Sequence, residues 1–395
     1  MTTTLITLVY SIWLARTCII CILAISHKRA SRHITHLTNI TAAKINKYPL
    51  VSIIIPAFNE QSCIQSAIAS CLECSYSNLE VIIVDDGSSD GTFAKADAFV
   101  KKATAPKLRL FKQPHNSGKA QALNRGLNEA QGSIVVTLDA DTRFADPESL
   151  RQIIYPLLKD QELSATTACL RVNRQNGLWS SLQDLEYTNV LQFIKQAQCK
   201  LNAIMILPGA ISAFILKDLR DTGNFSSETL AEDADLTMQL LANGKKLRFI
   251  ADAVAFTDTP NTFRALFRQR VRWRTGQLQC LVKHKSLLRS NLLQALVYLD
   301  TIIANIASLL SPIILFALFL ISPNWPGPIA QTIILVLIGF LGVSWGATAI
   351  CYRFDNRNLP PLPNIVIYIT FFSIFNPAIT LISIVYLLLS KKPRW

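Results

Sequence analysis

The sequence predicts an α/β domain built on a mainly parallel sheet, joined to α-helical transmembrane segments. Two observations predict it. Between about Tyr48 and Lys285, short apolar runs alternate with helical patterns, and outside that stretch lie four apolar runs of membrane length. With 395 residues, half of them hydrophobic, the chain exceeds the usual size of one soluble core, so part of it belongs in lipid.

The elements follow in order. Residues 5–25 reach the roughly 20 residues that cross about 30 Å of hydrocarbon as helix. MTTTL before them carries no charge and HKRASRH after them is strongly basic. The positive-inside rule then places the following segment in the cytoplasm and makes residues 1–27 a signal anchor, not a cleaved leader. Residues 51–55 and 81–84 read as buried strands, 64–72 and 92–100 as helices, and 108–111 and 134–138 as strands again. The loop Asn116-Ser117-Gly118-Lys119 opens a helix over 120–129. The soluble domain spans 48–262, and 263–290 is an interfacial region whose helix over 263–281 is amphipathic. Residues 291–390 hold three further spans, at 293–321, 329–350 and 365–389. Counting sides puts 322–328 outside, 351–364 inside and the tail KKPRW outside.

The net charge is +13, from 39 basic and 26 acidic residues. The basic clusters flank the spans, which suits anionic lipid headgroups and not nucleic acid. The pairs Cys18/Cys21 and Cys71/Cys74 lack a second pair or spaced histidines, so they read as reduced packing cysteines and not as a zinc site.

In such sheets ligands bind beyond the carboxyl ends of the strands. Pro56, Phe58 and Glu60 follow the first strand, Asp85 and Asp86 the second, and Asp139 and Asp141 end a later one. No GxGxxG follows a strand and no GxxxxGK[ST] occurs, which argues against nicotinamide, flavin and P-loop chemistry. Asp139 and Asp141 stand two residues apart, so both carboxylates leave the chain on one side, as two hard ligands for a divalent cation would. Asp85 and Asp86 suit either a turn or hydrogen bonds to a base or ribose. Lys119 stands at a positive helix end, solvated or facing an anion. Glu232 and Asp233 open an acidic segment that on its own reads as a dipole-stabilised helix start. In QRVRW, the Arg272 guanidinium suits phosphate and the Trp273 indole suits the apolar face of a sugar, or the segment grips lipid headgroups as an amphipathic helix.

The ordered set PAFNE, VDDGSSDGT, NSGKAQALNRGL, LDAD, AEDAD and QRVRW resembles the membrane glycosyltransferases of family 2, the group of poly-N-acetylglucosamine, chitooligosaccharide, hyaluronan and cellulose synthases. The resemblance covers about residues 51–281. It implies the GT-A fold, a Rossmann-like sheet, and an inverting transferase that uses Mg2+ or Mn2+. Pro56, Phe58, Glu60, Asp85, Asp86 and Lys119 then correspond to the uridine-binding group. Asp139 and Asp141 correspond to the DxD pair on ribose, diphosphate and metal, and Asp233, beside Glu232, to the general base. Gln269 and Arg272 correspond to diphosphate contacts and Trp273 to the acceptor platform. The stretch LPGAISAF at 207–214 resembles the family's acceptor loop. Phe58 stands where tyrosine is common and Ala231 where threonine is common.

A processive enzyme of the inner membrane follows, extending a β-linked polymer from a UDP-sugar, UDP-N-acetylglucosamine favoured, with its catalytic domain cytoplasmic. Four spans are few for a wide channel, so an accessory membrane subunit or a second copy belongs to the expectation. Alternatives are a single-addition enzyme making a glycolipid and a silent glycan-binding scaffold. Arg16 and Asp300 fall at similar depth, roughly 12 to 14 Å from the cytoplasmic edge at about 1.5 Å per residue. An unpaired charge there is costly, so the two are expected to meet or to line a polar path.

Overall fold

The computed structural model describes residues 2–41, 49–103, 107–173, 177–320 and 327–389. The domain start at Tyr48, most of the 322–328 loop and the KKPRW tail lie outside them.

After the long helix α1 (Thr2–Thr41), the first strand, β1 (Val51–Ala57), is buried along its whole length. Both faces of the sheet are covered, which is why β1 reads as an unbroken apolar run. Ile54 enters the core on one face, with Leu123 and Leu127, while Ile53 and Ile55 enter the core on the other, with Ile68 and Ile153. The helices α2 (Ile64–Leu72), α3 (Thr92–Lys102) and α4 (Lys119–Glu129) link β1 to β2 (Leu79–Asp85), β3 (Leu108–Lys112) and β4 (Ile134–Leu138). These four strands are parallel, in register Ala57 beside Asp85 and Asp85 beside Lys112, so their carboxyl ends form one edge.

The chain then adds β5 (Thr142–Phe144), α5 (Ser149–Lys159), β6 (Leu163–Val172), α6 (Leu178–Glu186), a π-helical segment over Tyr187–Ile194, and α7 (Lys195–Lys200). It continues with β7 (Ile211–Ile215), α8 (Leu216–Asp221), α9 (Glu232–Ala242) and β8 (Lys246–Thr257). The eight strands lie in the order β3-β2-β1-β4-β7-β6-β8-β5. The sheet is mixed, because β4–β7, β6–β7 and β5–β8 are antiparallel. That reversal positions the site. Leu138 pairs with Ile211, so the loop entering β7 lands beside the residues leaving β4. Thr142 pairs with Thr257, so the end of β8 lands there too.

The last helices are α10 (Phe263–Lys283), α11 (Leu292–Leu320), α12 (Pro328–Phe354) and α13 (Leu362–Leu388). Among the described residues, four stretches are long and apolar enough to cross a membrane: Thr7–Ala30, Leu292–Leu310, Ile334–Phe354 and Leu362–Leu388. α1 continues past its apolar stretch and docks on the soluble domain, where Lys28, 5% exposed, pairs with Asp252 of β8 at 2.8 Å. One cation of the HKRASRH cluster therefore serves the protein interior and not a headgroup. Arg16 and Asp300 meet across the bundle in a two-pronged pair, Nε to Oδ1 at 2.5 Å and Nη2 to Oδ2 at 2.9 Å.

Candidate active site

The site grows from the carboxyl edge of the sheet. Pro56 lies buried one residue before the end of β1, Phe58 stands 43% exposed at the rim, and Glu60 is half-buried within the field of Asp141 and Asp139. Burial, together with the charges of Asp141, Asp139, Asp90 and Asp258, pushes the Glu60 carboxyl up to about 8. Asp85 is 1% exposed. Its Oδ2 accepts from Ser88 N at 3.3 Å, and its Oδ1 is buried without a partner. Asp86 is used differently. Its carboxylate accepts from Gln113 Nε2, Ser117 N and Gly118 N at 2.8 to 2.9 Å, so it pins the loop from which α4 starts.

That pinned loop delivers Lys119. Its Nζ lies 2.5 Å from Asp139 Oδ1 and 3.4 Å from Glu232 Oε1. Burial lowers the lysine's affinity for its proton, but Asp139 and Glu232 more than offset this and raise it. Asp139 N donates to Ala210 O at 3.0 Å, the direct result of the β4–β7 reversal. The next residue but one, Asp141, accepts from Thr142 and more distantly from Thr257. Burial and the neighbouring Asp139 push Asp141 up to about 6, against the pull of Lys119.

Asp233 reaches the same point from α9. Its Oδ2 accepts from Gly209 N at 2.8 Å and its Oδ1 from Ala234 N at 2.8 Å. A Cβ on Gly209 would stand 2.9 Å from Lys119 Nζ and 3.4 Å from Asp233, so a side chain there would press on the ammonium. Glu232 is held above its usual range by burial, with Lys119 opposing. The residues of PAFNE, LDAD, AEDAD and the NSGK loop thus share one cleft.

α10 clamps the start of α9. A Cβ on Gly276 would fall 2.6 Å from Ala231 Cβ, Gln279 Oε1 accepts from Leu230 N at 2.9 Å, and Asp235 accepts from Lys283 and His284 at 2.9 and 2.6 Å. Arg272 lies one turn before Gly276 on the same face, half-buried, with no hydrogen bond or ion pair among the described residues. Gln269 Oε1 accepts from Arg270, so its amide is engaged within the motif. Trp273 is half-buried, with the Arg270 guanidinium 4.3 Å from its ring centre and Tyr187 at 6.4 Å.

Residues 52–223 match the family described as Glycosyl transferase family 2. Over those residues the chain is similar to a family 2 glycosyltransferase domain. Among curated proteins it is similar to poly-beta-1,6-N-acetyl-D-glucosamine synthase of Staphylococcus epidermidis, 29% identical over 233 residues, and to that of Staphylococcus aureus strain COL, 28% identical over 233 residues. Each match covers 59% of this chain, and the chain spans 56% of the relatives' own length. Among solved structures it is similar to mannosyltransferase PcManGT from Pyrobaculum calidifontis, in complex with GDP-Man and Mn2+. The TM-score is 0.63 at 22% identity, over 95% of this chain and 99% of that one, and this likeness shows the GT-A-like fold.

Two parts of the α/β domain escape sequence reasoning. Arg270, 5% exposed, pairs with Glu186 at 2.5 Å and backs Trp273. Its place inside QRVRW was a signal, since a second arginine beside Gln269 needs a partner once buried. Tyr187, 3% exposed, lies within the field of Asp139 and Asp141 and packs near Trp273, so it joins the two motifs. No sequence pattern around it marks that role.

Proposed function

We propose that the chain is a membrane-embedded, inverting, processive β-glycosyltransferase that extends a polysaccharide from a UDP-sugar, UDP-N-acetylglucosamine favoured, from a cytoplasmic catalytic domain. The observation that carries this reading is the Lys119 ammonium between Asp139 and Glu232, with Asp233 closing on the same point through Gly209. One cleft so joins the candidate donor carboxylates to the candidate base.

Each side chain has a task. Phe58 offers its exposed ring to the base, and the unpartnered Oδ1 of Asp85 offers a buried acceptor to a uracil N–H. Asp86 acts through the loop it pins. Asp233, fixed by two backbone donors, takes the proton of the acceptor hydroxyl as that oxygen attacks the anomeric carbon, which needs no covalent intermediate and inverts the configuration. Lys119 and the unpaired Arg272 face the departing diphosphate, and Trp273 offers the acceptor the ring face left free by Arg270.

The donor set fits a divalent ion. Among the described residues no group of three or more His, Cys, Asp or Glu stands ready to hold one, yet Glu60 and Asp141 are both raised, by burial first and then by their carboxylate neighbours. One or two carboxylates completed by substrate phosphates is how Mg2+ is usually bound. Asp139 and Asp141 would hold Mg2+ or Mn2+, which would neutralise charge growing on the leaving diphosphate.

Export through the spans draws support from a cavity of about 390 Å³ between α1, the π-helical segment, α12 and α13. Its lining mixes Trp13, Tyr368, Asn189, Asn376 and Thr348, aromatic faces and hydroxyl or amide groups suited to sugar. Purified protein incubated with radiolabelled UDP-sugars and Mg2+ or Mn2+ is expected to yield a ladder of products from UDP-N-acetylglucosamine. A single sugar added to lipid would replace this with the glycolipid reading, and no transfer from any donor would end the enzymatic one.

A further inference from the structure

α6 carries two carboxylates two residues apart, Asp184 and Glu186, and positions so spaced on a helix point about 200° apart. Each reaches a different neighbour. Glu186 accepts from Arg270 of α10, through Nε at 3.2 Å and Nη2 at 2.5 Å, and that guanidinium stands 4.3 Å from the Trp273 ring centre. Asp184, 5% exposed, faces the turn between the last two spans. Its Oδ2 accepts from Tyr352 Oη at 2.9 Å and from Arg357 Nη2, while Arg357 Nη1 donates to Thr188 Oγ1 at 3.2 Å. The turn aims that arginine. Asn356 takes a left-handed φ of 52° and Arg357 N donates back to Tyr352 O at 2.9 Å, which closes the end of α12 and lays the guanidinium 4.6 Å from the Tyr352 ring centre. From the other side, α13 packs Phe372, Phe375 and Ile379 against Leu266 and Val271 of α10 and Leu182 of α6, with Ser383 Oγ donating to Val271 O at 3.4 Å. The helix that carries Trp273 is therefore gripped by α6 and α13, and Arg357 ties α6 to the turn from which α13 starts.

We propose that Arg357 is a positioning residue for the acceptor: through Asp184 it fixes the rotation of α6, and through Glu186 and Arg270 it sets the Trp273 ring. The inference rests on the reading of Trp273 as the acceptor platform. A pair that only anchored the spans could end on any helix of the domain. Here the receiving helix is the one that backs the ring, and Tyr187, next to Glu186, packs near the same ring at 6.4 Å. Thr188, which takes the second prong of Arg357, belongs to the π-helical segment, a geometry found mostly at functional sites. Asn189, Phe193 and Ile194 of that segment line the cavity among the spans. One turn between two spans so bears on the ring in the cleft and on the wall of the cavity together.

The test measures acceptor and donor separately, with a short N-acetylglucosamine oligosaccharide and the UDP-sugar, on wild type, Arg357→Met, and Arg357→Met combined with Asp184→Asn, beside melting curves of each. Arg357→Met leaves Asp184 buried without its cation, so its melting temperature should fall. Its acceptor KM is expected to rise about tenfold, with donor KM and kcat at saturating acceptor within about twofold of wild type. The double variant removes both charges and keeps an oxygen for Tyr352 Oη, so its melting temperature should recover while its acceptor KM stays raised. Should Arg357→Met not fold, the double variant carries the same comparison. An acceptor KM that does not move, that rises together with donor KM, or that recovers with stability in the double variant overturns the proposal. Trp273→Ala is run alongside: an unchanged acceptor KM there removes the platform and this inference with it, while a raised one beside an unmoved Arg357→Met removes only the role of Arg357.

Discussion

Two ion pairs, one in the membrane and one in the cleft, are built on opposite plans. Arg16 and Asp300 meet one on one through two parallel hydrogen bonds, and among the described residues no other charged group pairs with either. Lys119 is a single ammonium shared between Asp139 and Glu232, with Asp141, Glu60 and Asp233 crowding the same space. The first arrangement is balanced and suits permanence in a medium where an unpaired charge is expensive. The second is short of positive charge and suits a site that a cation and an anionic substrate complete together. Balance marks where the molecule is held, and imbalance marks where it works.

The comparison breaks or sharpens under substitution. The largest effect is expected in the cleft, where Lys119→Met should lower transfer by roughly 10²- to 10³-fold, as losing one preorganised charge donor typically does. Its thermal stability should change little, because the carboxylates it leaves can protonate, and steady-state kinetics with a melting curve check both parts. In the membrane the balance of effects should reverse. Arg16→Leu leaves Asp300 alone and should destabilise the bundle by at least about 2.5 kcal/mol, measurable as a lower melting temperature in detergent. Removing both charges, as Arg16→Leu with Asp300→Leu, should recover most of that loss. A double variant no better than the single one would mean that the pair serves a polar path and not simply each other.

The smallest effect is a pH dependence, and its sign follows from the shortage of cations. Glu60 and Asp141 are raised to about 8 and about 6 in the folded chain, from 4.5 and 3.8, so the folded state binds more protons than the unfolded one in between. Stability without divalent ions should therefore fall as pH rises from about 4 to 8. Added Mg2+ or Mn2+ should restore it most at the alkaline end, with protons released on binding. Melting curves across pH, with and without the ion, check this. A metal-free stability that rises over that range would contradict the excess of negative charge.

The first half of the domain was legible because its signals are local. β1, β2 and β4 are buried and read as short apolar runs, the half-buried edge strand β3 alternates apolar with basic residues, and α2 begins and ends where the pattern changes, at Ile64 and Leu72. The reversal at β7 was not, since ISAFI is short and nothing in it fixes direction. β8 carries Lys246, Arg248 and Asp252 on alternate, half-buried positions, which hides a strand. The meeting of Arg16 with Asp300 followed from helix rise alone. In the cleft, strand-end carboxylates could be found by spacing. The employment of Asp86 inside the 113–118 loop, the Arg270–Glu186 pair behind Trp273 and the position of Tyr187 depend on contacts between distant elements, which no single segment encodes.

The account turns on two carboxylates doing different work on one donor, and Asp141→Asn beside Asp233→Asn tests this most directly. Calorimetric binding of the UDP-sugar with Mg2+ or Mn2+, paired with a transfer assay, should show that Asp141→Asn loses ion-dependent donor binding. Asp233→Asn should bind donor as wild type does and transfer nothing. Ordinary transfer by Asp233→Asn, or donor binding by Asp141→Asn that still responds to the ion as wild type does, would contradict the account.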